Sequence, residues 1–110
     1  MAVSEEYINI KEALHRIGGS MDLYKKLLNS FTGTDYVAPI EEALNAGTME
    51  NASHQIHTLK GVAANLSLIK LAAIAGDLEH KVKNGVDHTD ALQELKSIYL
   101  TTSEQIPEVS

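Results

Sequence analysis

Apolar residues recur at intervals of three and four along most of the chain, a pattern typical of amphipathic helices. The clearest stripe begins after Thr48, the predicted N-cap of its helix, and consists of Ala52, Ile56, Leu59, Ala63 and Leu66. A second stripe with similar spacing ends at Asn84-Gly85 and consists of Leu68, Leu71, Ala75, Leu78 and Val82. Asn and Gly directly after a stripe are typical helix stops. The pattern therefore predicts two long consecutive helices, each with one face directed at neighbouring helices.

Shorter stripes precede these two helices. Asn9 with Glu12 three residues later resembles a capping box and predicts a short helix over about 10–17. Gly18-Gly19 ends this helix, and Ser20 can cap the next one. The N-terminal third of the chain is therefore also helical.

Two further segments complete the helical pattern. One opens at Asp35, has Pro39 within its first turn or so, and continues to Gly47. The other is capped by Asp87 or Thr89 and must end near Pro107. No segment alternates between apolar and polar positions as a half-buried strand would.

The helices have one apolar face each and need a shared core. Three of them, with roughly 15–18 residues and about 25 Å of length, should pack as antiparallel neighbours across short loops. We predict an all-α fold, an antiparallel four-helix bundle within about 21–105, with the short extra N-terminal helix (about 10–17) capping one end. The 110 residues correspond to one domain.

Composition argues against several classes of partner and site. Fifteen acidic and nine scattered basic residues give a net charge of −6, which argues against nucleic acid or an anionic membrane as a partner. The absence of cysteine excludes disulfides and thiolate metal sites and favours a cytoplasmic location. No signal peptide and no run long enough to span a bilayer is found, so we expect no membrane contact by this domain.

The candidate chemistry lies on the first long helix, where residues 56–61 read Ile-His-Thr-Leu-Lys-Gly. His57, Lys60 and Gly61 are three and four residues apart and share one helix face, which we call the His57 face. The ring lies about 100° round the helix from Ile56, at the edge of the core stripe. Gly within a helix costs about 0.5–1 kcal/mol relative to Ala, and access of another protein to His57 can offset this cost.

Small and polar residues continue the His57 face. Ser53 lies one turn before His57, and Ala64 lies two turns after it. His54 can line the same surface or be an ordinary solvated residue. With His57 it could also bind a metal, but no further ligands are obvious. Lys81 and Lys83 of the next helix are expected to form a solvated face, which could meet an acidic partner.

Histidine next to lysine suits phosphoryl transfer. With a reference pKa of about 6.5, an imidazole is often uncharged and nucleophilic near neutral pH, and it can accept and release a phosphoryl group. Lysine binds phosphate as a mobile point charge. The chain contains neither a phosphate-binding glycine loop nor a nucleotide-site signature. These residues indicate a carrier that relies on its partner for further groups.

The stretch from His57 to Ser67 resembles the signature of histidine-containing phosphotransfer (HPt) domains of multistep two-component phosphorelays. The likeness covers nearly the whole chain and continues upstream and downstream at Ala13-Leu14, Ile17-Gly18-Gly19, Tyr24, Leu27-Leu28, Phe31, Leu71, Ala75, Leu78-Glu79 and Asn84-Gly85. It implies a single HPt domain over 1–110, with His57 as phosphoacceptor on the ring nitrogen distal to the backbone. It also implies that Lys60 neutralises the phosphoryl group and that Gly61 leaves room for docking.

The resemblance further implies a phosphocarrier and not an enzyme in its own right. Its partners would be response-regulator receiver domains and a hybrid sensor histidine kinase, and the phosphoryl group would move between receiver aspartates. The receiver would supply Mg²⁺, so no cofactor is expected in this chain. We expect a cytoplasmic monomer, or the cytoplasmic domain of a membrane-bound hybrid kinase.

One departure and one alternative qualify this interpretation. Ser67 stands where the family usually has Gly, so we expect a local change in the helix bend that can tune which receiver docks; with Ser53, Ala64 and His54 it would line the docking surface. The alternative is a non-catalytic helical bundle that only docks or scaffolds partners. Uptake of phosphate by His57 distinguishes the two.

Overall fold

A computed structural model of the chain describes residues 3–109. This part contains no strand; its helices are α1 (Ile10–Arg16), α2 (Met21–Thr32), α3 (Val37–Asn45), α4 (Met49–Asn65), α5 (Ile69–Lys83) and α6 (Thr89–Gln105), followed by a 3₁₀ turn (Ile106–Glu108). The three long helices, α4, α5 and α6, have 17, 15 and 17 residues. The predicted all-α class is confirmed.

The long helices pack in chain order. Helix α4 contacts both α3 and α5, and α5 also contacts α6. The two predicted stripes meet in this core: Ile56 and Leu59 of α4 and Leu71 and Leu78 of α5 are completely buried. None of the helices within residues 3–109 combines the length and apolar surface that crossing a bilayer requires.

Side chains satisfy the first backbone N–H groups of several helices. The Asn9 side chain accepts a hydrogen bond from the Glu12 N–H at 3.1 Å, and Ser20 accepts one from Leu23 N–H at 3.1 Å. These two predicted caps are confirmed. The capping box is not completed: the Asn9 N–H donates to the Ser67 carbonyl oxygen at 3.0 Å, and the Glu12 carboxylate contacts Arg16 at 3.2 Å.

The later caps agree with prediction in part. Asp35 accepts hydrogen bonds from the first N–H groups of α3, and Asp87, not Thr89, accepts one at the start of α6. Thr48 occupies the cap position of α4 but makes no side-chain cap bond. Its hydroxyl instead donates to the Ala43 carbonyl oxygen at 3.1 Å, which ties the start of α4 to the end of α3.

The C-terminal end of α4 closes in a Schellman motif with serine in the left-handed position. Ser67 has a φ of +55°. The N–H of Leu68 donates to the Ala63 carbonyl oxygen at 2.8 Å, and that of Ser67 donates to Ala64 at 3.2 Å. Glycine is the usual residue here because it has no Cβ to clash in this conformation. Ser67 therefore takes the position at which the helix ends, and its expected effect on the helix bend stays a prediction.

Side chains from α1 and α2 also donate hydrogen bonds to carbonyls at that end of α4. Arg16 donates to the carbonyl oxygens of Ala64 and Asn65 at 2.7 and 3.1 Å. The buried Tyr24 hydroxyl donates to that of Leu66 at 2.7 Å, and burial raises the pKa of Tyr24 to about 12, although Arg16 opposes the shift. The last carbonyls of a helix lack intrahelical partners, so these bonds hold the end of α4 in place.

Candidate functional site

The His57 ring lies on the surface of α4 and is oriented by α5. Its side chain is 67% exposed, and Nδ1 lies 3.0 Å from Oε2 of Glu79. An ionised carboxylate can only accept hydrogen bonds, so this contact assigns the ring proton to Nδ1. In the neutral ring Nε2 then carries the free lone pair, and within residues 3–109 it has no hydrogen-bond partner.

Glu79 is the buried centre of the site. Its side chain is only 7% exposed, yet its oxygens lie 3.0 Å from His57 Nδ1, 3.2 Å from Lys83 Nζ and 3.5 Å from Lys60 Nζ. Burial by itself would raise the pKa of Glu79, but the hydrogen bonds and charges of Lys83 and His57 outweigh it and hold the pKa below its usual range. Glu79 is therefore ionised near neutral pH. We call these four residues the Glu79 cluster.

Lys60 reaches Glu79 across the backbone of α5. Its side chain is 46% exposed at the edge of the cluster. A Cβ placed on Gly76 would lie 3.8 Å from both Cδ and Cε of Lys60, so the lysine stem rests on this glycine. The ammonium group thus shares the Glu79 carboxylate with the ring, on a side chain that is still partly open to solvent.

Gly61 has no structural reason to be glycine. It is a helical residue without a positive φ, and a Cβ built on it meets nothing within 4 Å. The open space lies one turn along the helix from His57. Ala64 and His54 are exposed on α4 as well. The open part of the His57 face therefore comprises these residues together with the ring and Lys60.

The two serines predicted for that face lie elsewhere. Ser53 and Ser67 are only 8% and 1% exposed. Ser53 falls between the core stripe and His57 round the helix, so helix packing covers it. Ser67 is turned inward, where its hydroxyl donates to Glu12 at 2.8 Å and accepts a hydrogen bond from Arg16 at 2.9 Å. The prediction that these side chains line a docking surface is wrong.

Sequence reasoning missed the role of Glu79 and Lys83 in the site. Lys83 is exposed, as expected of a solvated face, with 59% of its side chain accessible to solvent, but its Nζ also contacts a buried carboxylate. A signal was present: Glu79 follows the core residue Leu78 as His57 follows Ile56, so each lies about 100° from its stripe. Edge residues of two neighbouring helices can meet, but the register that pairs these two depends on packing.

A metal site is not evident in the part of the chain that the structure describes. No group of three or more His, Asp or Glu side chains within residues 3–109 is arranged to hold an ion. Asp77 is exposed and pairs with Lys81 at 3.1 Å, so this carboxylate faces solvent and not the core.

Comparison with known families agrees with this geometry. The family model of the Hpt domain matches residues 32–105, which include α3–α6 and the whole Glu79 cluster. Comparisons with curated proteins and with solved structures give no match. Hpt domains are helical phosphocarrier modules that act with kinases and receiver domains in two-component phosphorelays. With an exposed histidine held by a buried carboxylate, and with the family match over most of its length, this chain belongs to the Hpt domain family.

Proposed function

We propose that His57 carries the phosphoryl group on Nε2 and that the domain passes it between the aspartates of two receiver domains. The observation that carries this proposal is the 3.0 Å hydrogen bond between His57 Nδ1 and Glu79. This bond leaves Nε2, on a ring that is 67% exposed, as the nucleophilic nitrogen.

The proposed transfer needs little from the carrier beyond position and charge. The Nε2 lone pair attacks the phosphorus of an aspartyl phosphate, the P–N bond forms, and the P–O bond to the carboxylate breaks. The aspartate leaves with the bonding electron pair. The ring keeps its proton on Nδ1 and becomes positively charged, and Glu79 at 3.0 Å stabilises that charge. The reverse sequence returns the phosphoryl group to another aspartate.

Lys60 would neutralise the incoming phosphoryl group. Its ammonium contacts the same carboxylate as the ring and its side chain is partly exposed, so it can turn from Glu79 to the phosphoryl oxygens without crossing the core. Lysine is suited to this because it is a flexible point charge with three donors. Mg²⁺ would come from the receiver, and no cofactor belongs to this chain.

Gly61 supports docking of a protein partner. Because a Cβ at position 61 would meet no other atom of the described chain within 4 Å beyond its own stretch of helix backbone, the space is available to the surface of a receiver. The receiver must bring its aspartate within bonding distance of Nε2, and a side chain at 61 would stand in its path. Exposed Ala64 and His54 would border the contact.

We also propose the finer architecture and setting. Helices α3–α6 would form an antiparallel four-helix bundle, since they pack in chain order and the loops between them are short. The apolar stripes are used within one chain, which favours a monomer. Exchange with receivers and a hybrid sensor histidine kinase would place the domain in the cytoplasm, free or attached to such a kinase.

The test is phosphorylation by a small donor. We expect phosphoramidate to place an acid-labile phosphoryl group on His57 of the wild-type chain, located by mass spectrometry, and His57→Gln to lose it while keeping its helical content. His54→Gln is the matched control, because this exposed histidine lies one turn away on the same helix. Modification spread over several histidines, or absent from His57, would instead favour the docking bundle.

A further inference from the structure

We propose that Lys83 is a positioning residue that keeps the charge of Glu79 compensated when Lys60 turns to the phosphoryl group. This inference rests on the proposed function, in which Lys60 contacts Glu79 before transfer and the phosphoryl group during transfer. In the structure its ammonium lies 3.5 Å from Oε1 of Glu79. During transfer it must contact phosphoryl oxygens instead, so its contact with Glu79 has to weaken.

The difficulty is the burial of Glu79. Its side chain is 7% exposed, and a carboxylate removed from water needs cations or donors to remain ionised. If Lys60 were its only ammonium partner, departure of Lys60 would leave the carboxylate with the ring alone. Glu79 would then hold Lys60 back and oppose the transfer.

Lys83 removes this conflict because it binds the other oxygen. Its Nζ lies 3.2 Å from Oε2, the oxygen that also accepts the His57 hydrogen bond, whereas Lys60 is on Oε1. Lys60 can therefore leave without disturbing the other two contacts.

The helix backbone also favours the Lys83 contact, although the Lys83 side chain is 59% exposed. Lys83 follows Glu79 by four residues on α5, the spacing and order in which a Glu–Lys pair is most favourable on a helix. It needs no movement between helices to persist. Lys60 is on α4, and its contact with Glu79 is the longest of the three. Lys83 is therefore the fixed counterion and Lys60 the mobile one.

A neighbouring ion pair provides a matched control. Lys81 pairs with Asp77 at 3.1 Å, with the same spacing on the same helix. Asp77, however, is 48% exposed and contacts neither His57 nor Lys60. Removal of Lys81 therefore changes the charge and helix propensity of α5 in the same way, without touching the Glu79 cluster.

The experiment measures the initial rate of His57 phosphorylation by phosphoramidate in single and double variants. We expect Lys83→Met to slow it about threefold to tenfold, the size of change typical of losing one intramolecular hydrogen bond. Lys83→Arg should restore most of the rate, and Lys81→Met should leave it unchanged. In a Lys60→Met background, adding Lys83→Met should have little further effect, because no lysine remains to be released.

Three results would overturn the proposal. One is an unchanged rate in Lys83→Met, and another is an equal slowing with and without Lys60. The third is a ring proton displaced from Nδ1 in Lys83→Met, read from the imidazole ¹⁵N shifts, because Lys83 would then act through the ring and not through Lys60. Failure of the wild-type chain to be phosphorylated on His57 would instead refute the function on which the inference rests.

Discussion

Two polar clusters, one at the C-terminal end of α4 and one at its middle, contain similar residues but have different roles. The Ser67 cluster, formed by Ser67, Glu12 and Arg16, joins the end of α4 to α1. The Glu79 cluster joins the middle of α4 to α5. Each contains a carboxylate, a basic group and a hydrogen bond between helices.

The two clusters differ in which group is buried and in whether a polar atom lacks a hydrogen-bond partner. In the Ser67 cluster the neutral hydroxyl is buried and makes two hydrogen bonds, while the charged groups are exposed and Arg16 is also bound to backbone carbonyls. In the Glu79 cluster the charged carboxylate is buried, and the exposed ring has a nitrogen without a partner in the described chain. A cluster whose groups are satisfied internally holds the structure together, whereas one that leaves a nucleophile facing solvent can do chemistry.

The largest expected effect that separates the clusters is on phosphorylation. Glu79→Gln should slow phosphoramidate phosphorylation of His57 by about tenfold, because an amide neither fixes the ring proton on Nδ1 nor carries the charge that stabilises the phosphorylated ring. Ser67→Ala, measured beside it by mass spectrometry of quenched samples, should leave the rate unchanged. Equal rates for Glu79→Gln and wild type would show that the Glu79 cluster contributes no more to phosphorylation than the Ser67 cluster does.

The next effect concerns the free energy of unfolding and the Ser67 cluster. Ser67→Ala should lower this free energy by about 1–3 kcal/mol, because the hydrogen bonds to Glu12 and Arg16 are lost while the left-handed backbone stays strained. Ser67→Gly loses the same bonds but relieves about 1 kcal/mol of backbone strain, so it should cost less. Urea denaturation measures both. If Gly proved as destabilising as Ala, the φ of +55° would carry no strain.

The third effect is on the pH dependence of stability. The pKa of Glu79 is lowered in the folded chain, chiefly because the lysine and histidine contacts outweigh burial. The unfolded carboxyl titrates near about 4.3, so the stabilisation is fully present above that pH and is lost as pH falls through the folded pKa. The difference in unfolding free energy between wild type and Glu79→Gln should therefore shrink on acidification below about pH 4. A difference that does not change between about pH 6 and 3 would contradict this.

The smallest effect distinguishes stability from docking at two helical glycines, Gly61 of α4 and Gly76 of α5. Gly61→Ala and Gly76→Ala should each stabilise the fold by about 0.5–1 kcal/mol in thermal or urea unfolding, because both glycines lie inside helices. Neither new Cβ would meet an atom closer than 3.8 Å. Gly61→Ala should also slow transfer from a phosphorylated receiver while leaving phosphorylation by phosphoramidate unchanged. Transfer as fast as in wild type would mean that Gly61 is not part of the docking surface.

Much of the helical pattern could be predicted from the sequence. The stripes through Ile56 and Leu78 predicted the buried faces of α4 and α5, and Asn9 and Ser20 predicted caps that the structure contains. Thr48 lies at the predicted N-cap position of α4, but its side chain does not accept the cap hydrogen bond, because its hydroxyl donates to the Ala43 carbonyl oxygen. Such local patterns depend on residues within a few positions of each other, and sequence records those spacings directly.

For the candidate site, the sequence alone determined the arrangement along one helix. His57, Lys60 and Gly61 share a face because 3.6 residues make one turn, whatever the rest of the chain does. Only the tertiary structure decided what holds the ring: Glu79 is 22 positions away and reaches Nδ1 because α4 and α5 pack in one register. It also decided that Ser53 and Ser67 are buried, since their exposure depends on which helices cover them. Helical periodicity is local, whereas burial and contacts between helices depend on the packing of the whole chain.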